Sequence, residues 1–270
     1  MSNQSNAMSD ALQHAAIFDL EQPRFIGAPI YPHHWPGFIY TLHRHHVPIP
    51  GQPRTSASGT VTMQEHSGTH IDALCHQALE MEMYGGINVD ASNQTPRGFL
   101  DLGVETIDPI IRPAILLDVA GAKGVERLPE GYLITDSDLE MTARTQEVSI
   151  EPGSCVLVRT GWGATFSDTD NYLGAAGVSA NGAKWLAKNH PFLCGADNVA
   201  FDYPDNIDIE LGSLPCHVVL IIENGIYIVE NLMLEELAAA KCWEFTFVCL
   251  PLKMQGVTGS PVRPLAIQSH

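Results

Sequence analysis

The sequence predicts a single mixed α/β domain. Short apolar runs of strand type alternate with segments of helical character. The chain has 270 residues and is 45% hydrophobic, and neither a Pro/Gly/Ser-rich linker nor a sustained charge run divides it. A chain of this size buries roughly three quarters of the surface its unfolded form exposes, so one large core can carry the whole chain.

Residues 1–10 are polar and read as a disordered or tag-like segment, with Ser5-Asn6-Ala7-Met8 like a cloning scar. They lack the apolar centre of a secretory signal, and the domain is assigned to residues 11–270. Residues 11–53 are rich in proline, histidine and aromatics. Within them Tyr31-Pro32-His33-His34-Trp35-Pro36 reads as an ordered loop, suited to a lid, because its prolines fix the backbone and remove donors. Thr60, Val61, Thr62 and Met63 give residues 57–65 strand character. Residues 73–84 look helical and stop at Gly85-Gly86. Residues 114–120 and 155–160 are apolar runs of buried-strand type. Residues 178–189 read as a helix with Ser179 as its N-cap, and residues 199–202 as a short strand. Asn224-Gly225 is either a hairpin turn or the end of a helix over residues 214–223. A strand over 226–230, a helix over 234–241 and a strand over 245–250 follow.

Charge excludes some partners. The net charge is −17 with only 14 lysines and arginines. A nucleic-acid or anionic-membrane binder needs cations to displace counterions, so neither partner is expected. The six cysteines form no C-x-x-C pair. Reduced thiols and a cytoplasmic location are the simpler reading in a chain this large. No apolar run reaches the ~18 residues of a membrane span.

The segment that carries chemistry is Glu65-His66-Ser67-Gly68-Thr69-His70-Ile71-Asp72-Ala73-Leu74-Cys75-His76. Imidazoles and a carboxylate in this density suit Zn, Mn or Fe. On one straight strand His66 and His70 would stand roughly 13 Å apart, and on one helix Asp72 would point away from His66. A turn at Gly68 resolves this: it brings His66 and His70 together, Asp72 then starts a helix, and His76 lies one turn later on the same face. Ordinary core or surface histidines are the other reading, since the chain holds 12.

H-x-G-T-H-x-D-x-x-x-H resembles the signature of the cyclase-type metal hydrolases, the family of bacterial kynurenine formamidase and isatin hydrolase. Leu74 stands where that motif often carries proline. Arg159-Thr160-Gly161-Trp162, Gly195-Ala196-Asp197 through Asp202, His217, Glu230-Asn231-Leu232, Pro251-Leu252-Lys253 and residues 259–264 resemble further family elements in order. The resemblance implies a swivelling β/β/α fold in a homodimer or homotetramer. It implies a divalent Zn or Mn, one or two per chain, on His66, His70 and Asp72, with His217 and Glu230 completing or supporting the site. It gives His76 the acid/base role. From the residues alone, His217 reads as a helix-surface residue and Glu230 as a strand-end charge.

The activity so implied is hydrolysis of a small cyclic or aryl amide, lactam or lactone by metal-activated water, with His76 moving the proton. An arylformamidase of N-formylkynurenine type is the alternative, but residues 77–113 are longer than in that branch and point to a different pocket. A non-catalytic metal or small-ligand binder would keep the ligands and could dispense with His76. Trp35 and Phe38 are candidates for a substrate pocket, with His33 and His34 beside them; packing of a proline-rich arm is the other reading. His43, His45 and His46 read as a polar loop. No G-x-S-x-G elbow or phosphate-binding glycine loop occurs.

Overall fold

The computed structural model describes residue 9 and residues 11–268. The expectation for residues 1–10 otherwise lies outside the described residues. Nine strands of the described residues form one sheet: β1 (Ala16–Asp19), β2 (His70–Asp72), β3 (Ile110–Asp118), β4 (Cys155–Arg159), β5 (Leu193–Ala196), β6 (Tyr227–Glu230), β7 (Glu244–Cys249), β8 (Gly259–Pro261) and β9 (Leu265–Gln268). Their order is β1-β9-β7-β3-β4-β5-β6-β2-β8. The four strands β3 to β6 run parallel, and their flanks are antiparallel. The helices α1 (Val119–Ala122), α2 (Asp136–Gln146), α3 (Ala180–Lys188), α4 (Pro215–His217) and α5 (Glu235–Ala239) lie in the connections, and α4 runs on into a π-helical segment, Val218–Glu223.

The sheet has to curl. β9 and β8 hold positions two and nine of the order, yet only residues 262–264 join them. In a flat sheet seven strand spacings would cover about 34 Å, whereas the link reaches at most about 14 Å. Backbone bonds seal the fold near this link: Leu20 N–H to Pro264 O and Val262 N–H to Thr69 O.

Alternation along the central strands sorts side chains onto two cores. Val156 and Val158 of β4 face the side covered by α2 and α3, with Leu139, Ala183 and Leu186. Cys155 and Leu157 face the concave side, with Ile71, Val229, Phe247 and Ala266. Both faces are buried, which is why β3 and β4 read as continuous apolar runs rather than alternating ones. All six cysteines are free and buried. Among the described residues no helix is long and apolar enough to cross a membrane.

The α/β layering, the strands at residues 58–63 and 155–159, and α3 with its Ser179 cap follow the sequence reading; Ser179 Oγ accepts from Gly182 N–H. Asn224-Gly225 ends a helix rather than turning a hairpin. Two expectations fail. Residues 73–84 are not a helix: one 3-10 turn, Leu74–His76, is followed by extended backbone and a small ribbon, Glu82–Met83 with Ile87–Asn88. A tight turn takes the amides a helix would use: Leu79 and Glu82 bond each other's carbonyls through their N–H groups, and Glu80 and Met81 between them adopt left-handed φ of 50° and 66°, while Ala73 N–H bonds Thr258 O and Cys75 N–H bonds Leu102 O. Local propensity yields to such contacts. Residues 199–202 form isolated bridges instead of a strand, because Phe201 adopts a left-handed φ of 55° and turns the chain; the strand lies earlier, at Leu193–Ala196.

Helix α2 went unread in the sequence although its start is encoded. Thr135 Oγ1 accepts from Asp138 N–H while the Asp138 carboxylate accepts from Thr135 N–H, a reciprocal capping box. Thr135→Ala is expected to lower stability by about 1 kcal/mol, read as a drop in Tm with metal content unchanged.

Candidate metal centre

The register of β2 builds the site. His70 and Asp72 are two residues apart on one strand and so project to the same face, while Ile71 enters the concave core. Glu230 of β6 pairs with His70, and Gly259 of β8 pairs with Asp72. His66 arrives from the turn before β2, where Gly68 has φ +61°. The turn at Gly68 is therefore as expected, but Asp72 ends a strand rather than starting a helix. His76 returns to the site by the single 3-10 turn after it, not by i,i+4 spacing on a helix. Gly259 makes room for His66, since a Cβ there would lie 2.7 Å from His66 Cε1. His217 comes from the end of α4.

Neighbouring side chains of the five lie at separations a metal site needs, and His66, His70 and Asp72 are mutually close enough for one ion. His66 Nδ1 lies 2.8 Å and His70 Nε2 3.5 Å from Asp72 Oδ1. His70 Nε2 is 3.3 Å from Glu230 Oε2, and His217 Nε2 is 3.3 Å from Glu230 Oε1 and 3.6 Å from Asp72 Oδ2. Ligands at tetrahedral angles about 2.1 Å from Zn stand about 3.4 Å from one another.

Hydrogen bonds outside the cluster fix each imidazole's proton. Thr258 Oγ1 donates to Glu65 and so accepts from His66 Nε2–H (2.9 Å), which leaves Nδ1 bare. His70 Nδ1–H donates to Gly68 O at 2.8 Å, and His217 Nδ1–H donates to Asp202 Oδ2 at 2.9 Å. In their neutral forms the three rings then turn a lone pair toward the two carboxylates. His66 Nδ1, both Asp72 oxygens and Glu230 Oε1 are buried without a hydrogen-bond partner. Such groups are costly to leave unmatched, and the donor set fits a divalent cation. The outward hydrogen bond of each histidine is the support that metal-ligating imidazoles normally carry.

Electrostatics agree with a surplus of negative charge. Burial favours a neutral Asp72, but His76, His217 and His66 around it hold its carboxyl well below the usual range. Burial works against a charged His70, yet Glu230 and Asp72 outweigh it and raise the pKa. His217 is raised further by Asp202, Asp72 and Glu230 against the same burial. His76 goes the other way: burial and then the neighbouring His66 push it well down. Its ring stacks on His66 with centroids 4.0 Å apart and sits 6.0 Å from that of His217. A neutral imidazole beside a cation site suits general-base work.

A cavity of about 230 Å³ opens on the cluster, lined by His66, His76, His217 and Glu230 and, on its outer wall, by Tyr31, His33, His34, Gln77, Val199, Ala200, Ser213 and Leu214. Trp35 and Phe38 are outside this lining. Trp35 is 78% exposed, and Phe38 begins a two-stranded ribbon, Phe38–Arg44 with Ser58–Met63. The loop reaches the cavity through His33 and His34 instead. His43 lies in that ribbon, and His43, His45 and His46 are exposed. The longer segment 77–113 mostly feeds Met83, Val104 and Ile107 to the concave core and gives the cavity Gln77. Sequence reasoning missed Gln64, Thr258 and the orienting role of Asp202. The first two bond to the histidines across folds of the chain that no local spacing announces.

Comparison with known proteins agrees with this architecture. The profile of the Cyclase family, described as "Putative cyclase", matches residues 18–203, which hold the first ligand cluster but not His217 or Glu230. Cyclase-like protein 3 of Oryza sativa subsp. japonica is 28% identical over 205 residues, 75% of this chain and 63% of that protein, so the match leaves over a third of the rice protein uncovered. A solved structure described as a novel cyclase is 26% identical, with a TM-score of 0.83 over 98% of this chain and 93% of that one. Isatin hydrolase A from Ralstonia solanacearum shares the fold at 21% identity, with a TM-score of 0.75 over 100% of this chain and 98% of its own.

Two outcomes follow from the geometry. Metal binding must expel the protons that His70 and His217 retain through their raised pKa values. Zn affinity should therefore rise with pH and fall on acidification, with proton release seen by calorimetry in two buffers of different ionisation enthalpy. Gly259→Ala should displace His66 and weaken Zn binding by 10-fold or more, on the scale seen when supporting groups of metal ligands are lost, measured by competition with a chelator.

Proposed function

The chain belongs to the Cyclase family, and from that footing we propose that it is a metal-dependent hydrolase of a small amide, lactam or lactone. The observation that carries the proposal is the buried cluster in which His66, His70 and Asp72 stand close enough to share one ion, with His217 and Glu230 joined to it through Asp72 and His70 and His76 beside them on an open cavity. The isatin hydrolase likeness is one of fold, and it favours a cyclic amide as the first compound to try.

A divalent Zn or Mn held by those five residues would supply Lewis acidity, acidifying water and polarising a carbonyl. The protein supplies the rest. His76, neutral through burial, accepts the proton of the attacking water and returns it to the leaving nitrogen or oxygen. Asp202 holds His217 in the tautomer that leaves Nε2 bare, and Gly68 O does the same for His70. Tyr31, Val199, Ala200 and Leu214 give the cavity apolar walls, and no lysine or arginine lines it. A compact, uncharged substrate fits such walls.

Six free buried thiols suit a reducing compartment such as the cytoplasm. Exposed Tyr40, Leu42, Val61 and Met63 share one face of the two-stranded ribbon and form an apolar surface of the kind that marks interfaces. They support a homo-oligomer.

Elemental analysis should find one or two equivalents of Zn or Mn in the wild type and a loss in His70→Ala. His76→Ala should keep the metal and lose about 10²- to 10⁴-fold in kcat on the lactam, formamide or lactone that the wild type hydrolyses. Equal turnover by His76→Ala would remove it from the reaction, and a wild type that takes up neither metal would sink the proposal.

A further inference from the structure

His34 lies in the cavity wall but outside the five-residue ligand set. It is the last residue of the 3-10 turn Pro32–His34. Its ring stacks on His66 with centroids 4.6 Å apart and lies 5.8 Å from that of His76. A nitrogen of His34 also comes within 4.8 Å of nitrogens of His66 and His76, so proximity alone allows a second cation site of three imidazoles.

The hydrogen bonds decide against a cation there. Gln64 is held at both ends of its amide. Its Oε1 accepts the backbone N–H of His66, and a backbone N–H can only donate, so the oxygen end is identified. Gln64 Nε2 is then the atom 3.2 Å from His34 Nδ1. An amide nitrogen donates and does not accept, so Nδ1 carries the lone pair and the proton of the neutral ring sits on Nε2. A nitrogen bearing that proton cannot ligate a metal; it can donate a hydrogen bond. The bond from Gln64 is thus opposite in sense to those at His70 and His217, whose outer nitrogens donate and whose inner ones are bare.

We propose that His34 is a substrate-contacting hydrogen-bond donor, held by Gln64 in the Nε2–H tautomer to bind the carbonyl oxygen of an uncharged acyl compound. This rests on the hydrolase reading above. Three of the cavity imidazoles then divide the work. His66 binds the cation, His76 moves the proton, and His34 keeps its own proton to offer to an oxygen that gains negative charge. A fixed neutral donor can stabilise such an oxygen without a buried lysine or arginine, and neither lines the cavity.

Gln64→Glu tests this with little change in shape. The new carboxylate still accepts from His66 N–H but presents an acceptor to His34 Nδ1, which draws the ring proton there and leaves Nε2 bare. Two-bond proton–nitrogen NMR of the metal-free protein, with His34→Phe to assign the signal, should show Nε2–H in the wild type and Nδ1–H in Gln64→Glu. With Zn content unchanged, both variants should lose about 10²-fold in kcat. Acetohydroxamate, whose carbonyl oxygen can take the same bond, should bind both Zn-loaded variants at least 10-fold more weakly than wild type by calorimetry. That binding measurement tests His34 even if no lactam, formamide or lactone is hydrolysed, an outcome that would count against the hydrolase reading. A wild-type Nδ1–H signal, loss of Zn in His34→Phe, or unchanged hydroxamate affinity in both variants would overturn the assignment.

Discussion

Two carboxylates, Asp72 and Glu230, are buried together in front of imidazole lone pairs, and the rest of the site is arranged around that charge. Removing such groups from water costs several kcal/mol each unless they are matched. The matching groups inside the protein are imidazoles whose protons are committed outward, to Thr258, Gly68 and Asp202. The inward face is therefore complete only with a cation, and in its absence His70 and His217 hold protons more tightly. Thr258, Asp202 and the Gly68 carbonyl decide which nitrogen of each ring faces the carboxylates, so they shape the cluster from outside it.

Backbone register turns this demand into geometry. Three strands, β6, β2 and β8, lie side by side, and the cross-strand pairs His70–Glu230 and Asp72–Gly259 set two carboxylates and one imidazole on a single face. A slip of one residue along β2 would send Ile71 into the polar cluster and His70 and Asp72 into the apolar core. Ile71 is fully buried among Val229, Leu232 and Val262, so the hydrophobic contact that fixes the register also fixes the ligand distances. The missing side chain at residue 259 supplies the remaining space, for His66.

Much of this was legible in the sequence. The apolar runs announced β3, β4, β6 and β7, and Ser179 announced α3. The His66–His76 segment announced a metal site because imidazole and carboxylate were dense around a glycine. What stayed hidden depended on partners far along the chain. Residues 73–84 were tied to Thr258 and Leu102 at their start and left the helical path at the left-handed Glu80-Met81 turn. The strand read at residues 199–202 was broken by the left-handed Phe201, the turn that brings Asp202 to His217. Trp35 drew attention as an aromatic, but its neighbour His34 is the one that reaches the cavity. Nothing in the local pattern of Gln64 shows that it bonds a ring 30 residues earlier.

The placement of β2 also bears on the order in which the protein is made. Its two neighbours in the sheet begin at residues 227 and 259, although β2 itself ends at Asp72. Until β6 and β8 emerge, the His66–Asp72 segment has no strand to pair with, and Glu230 and His217 do not yet exist to complete the ligand set. A nascent chain could hold a cation there only weakly, through three ligands without their supports. Assembly of the cluster thus waits until the chain has been made through residue 261, long after the segment that names it.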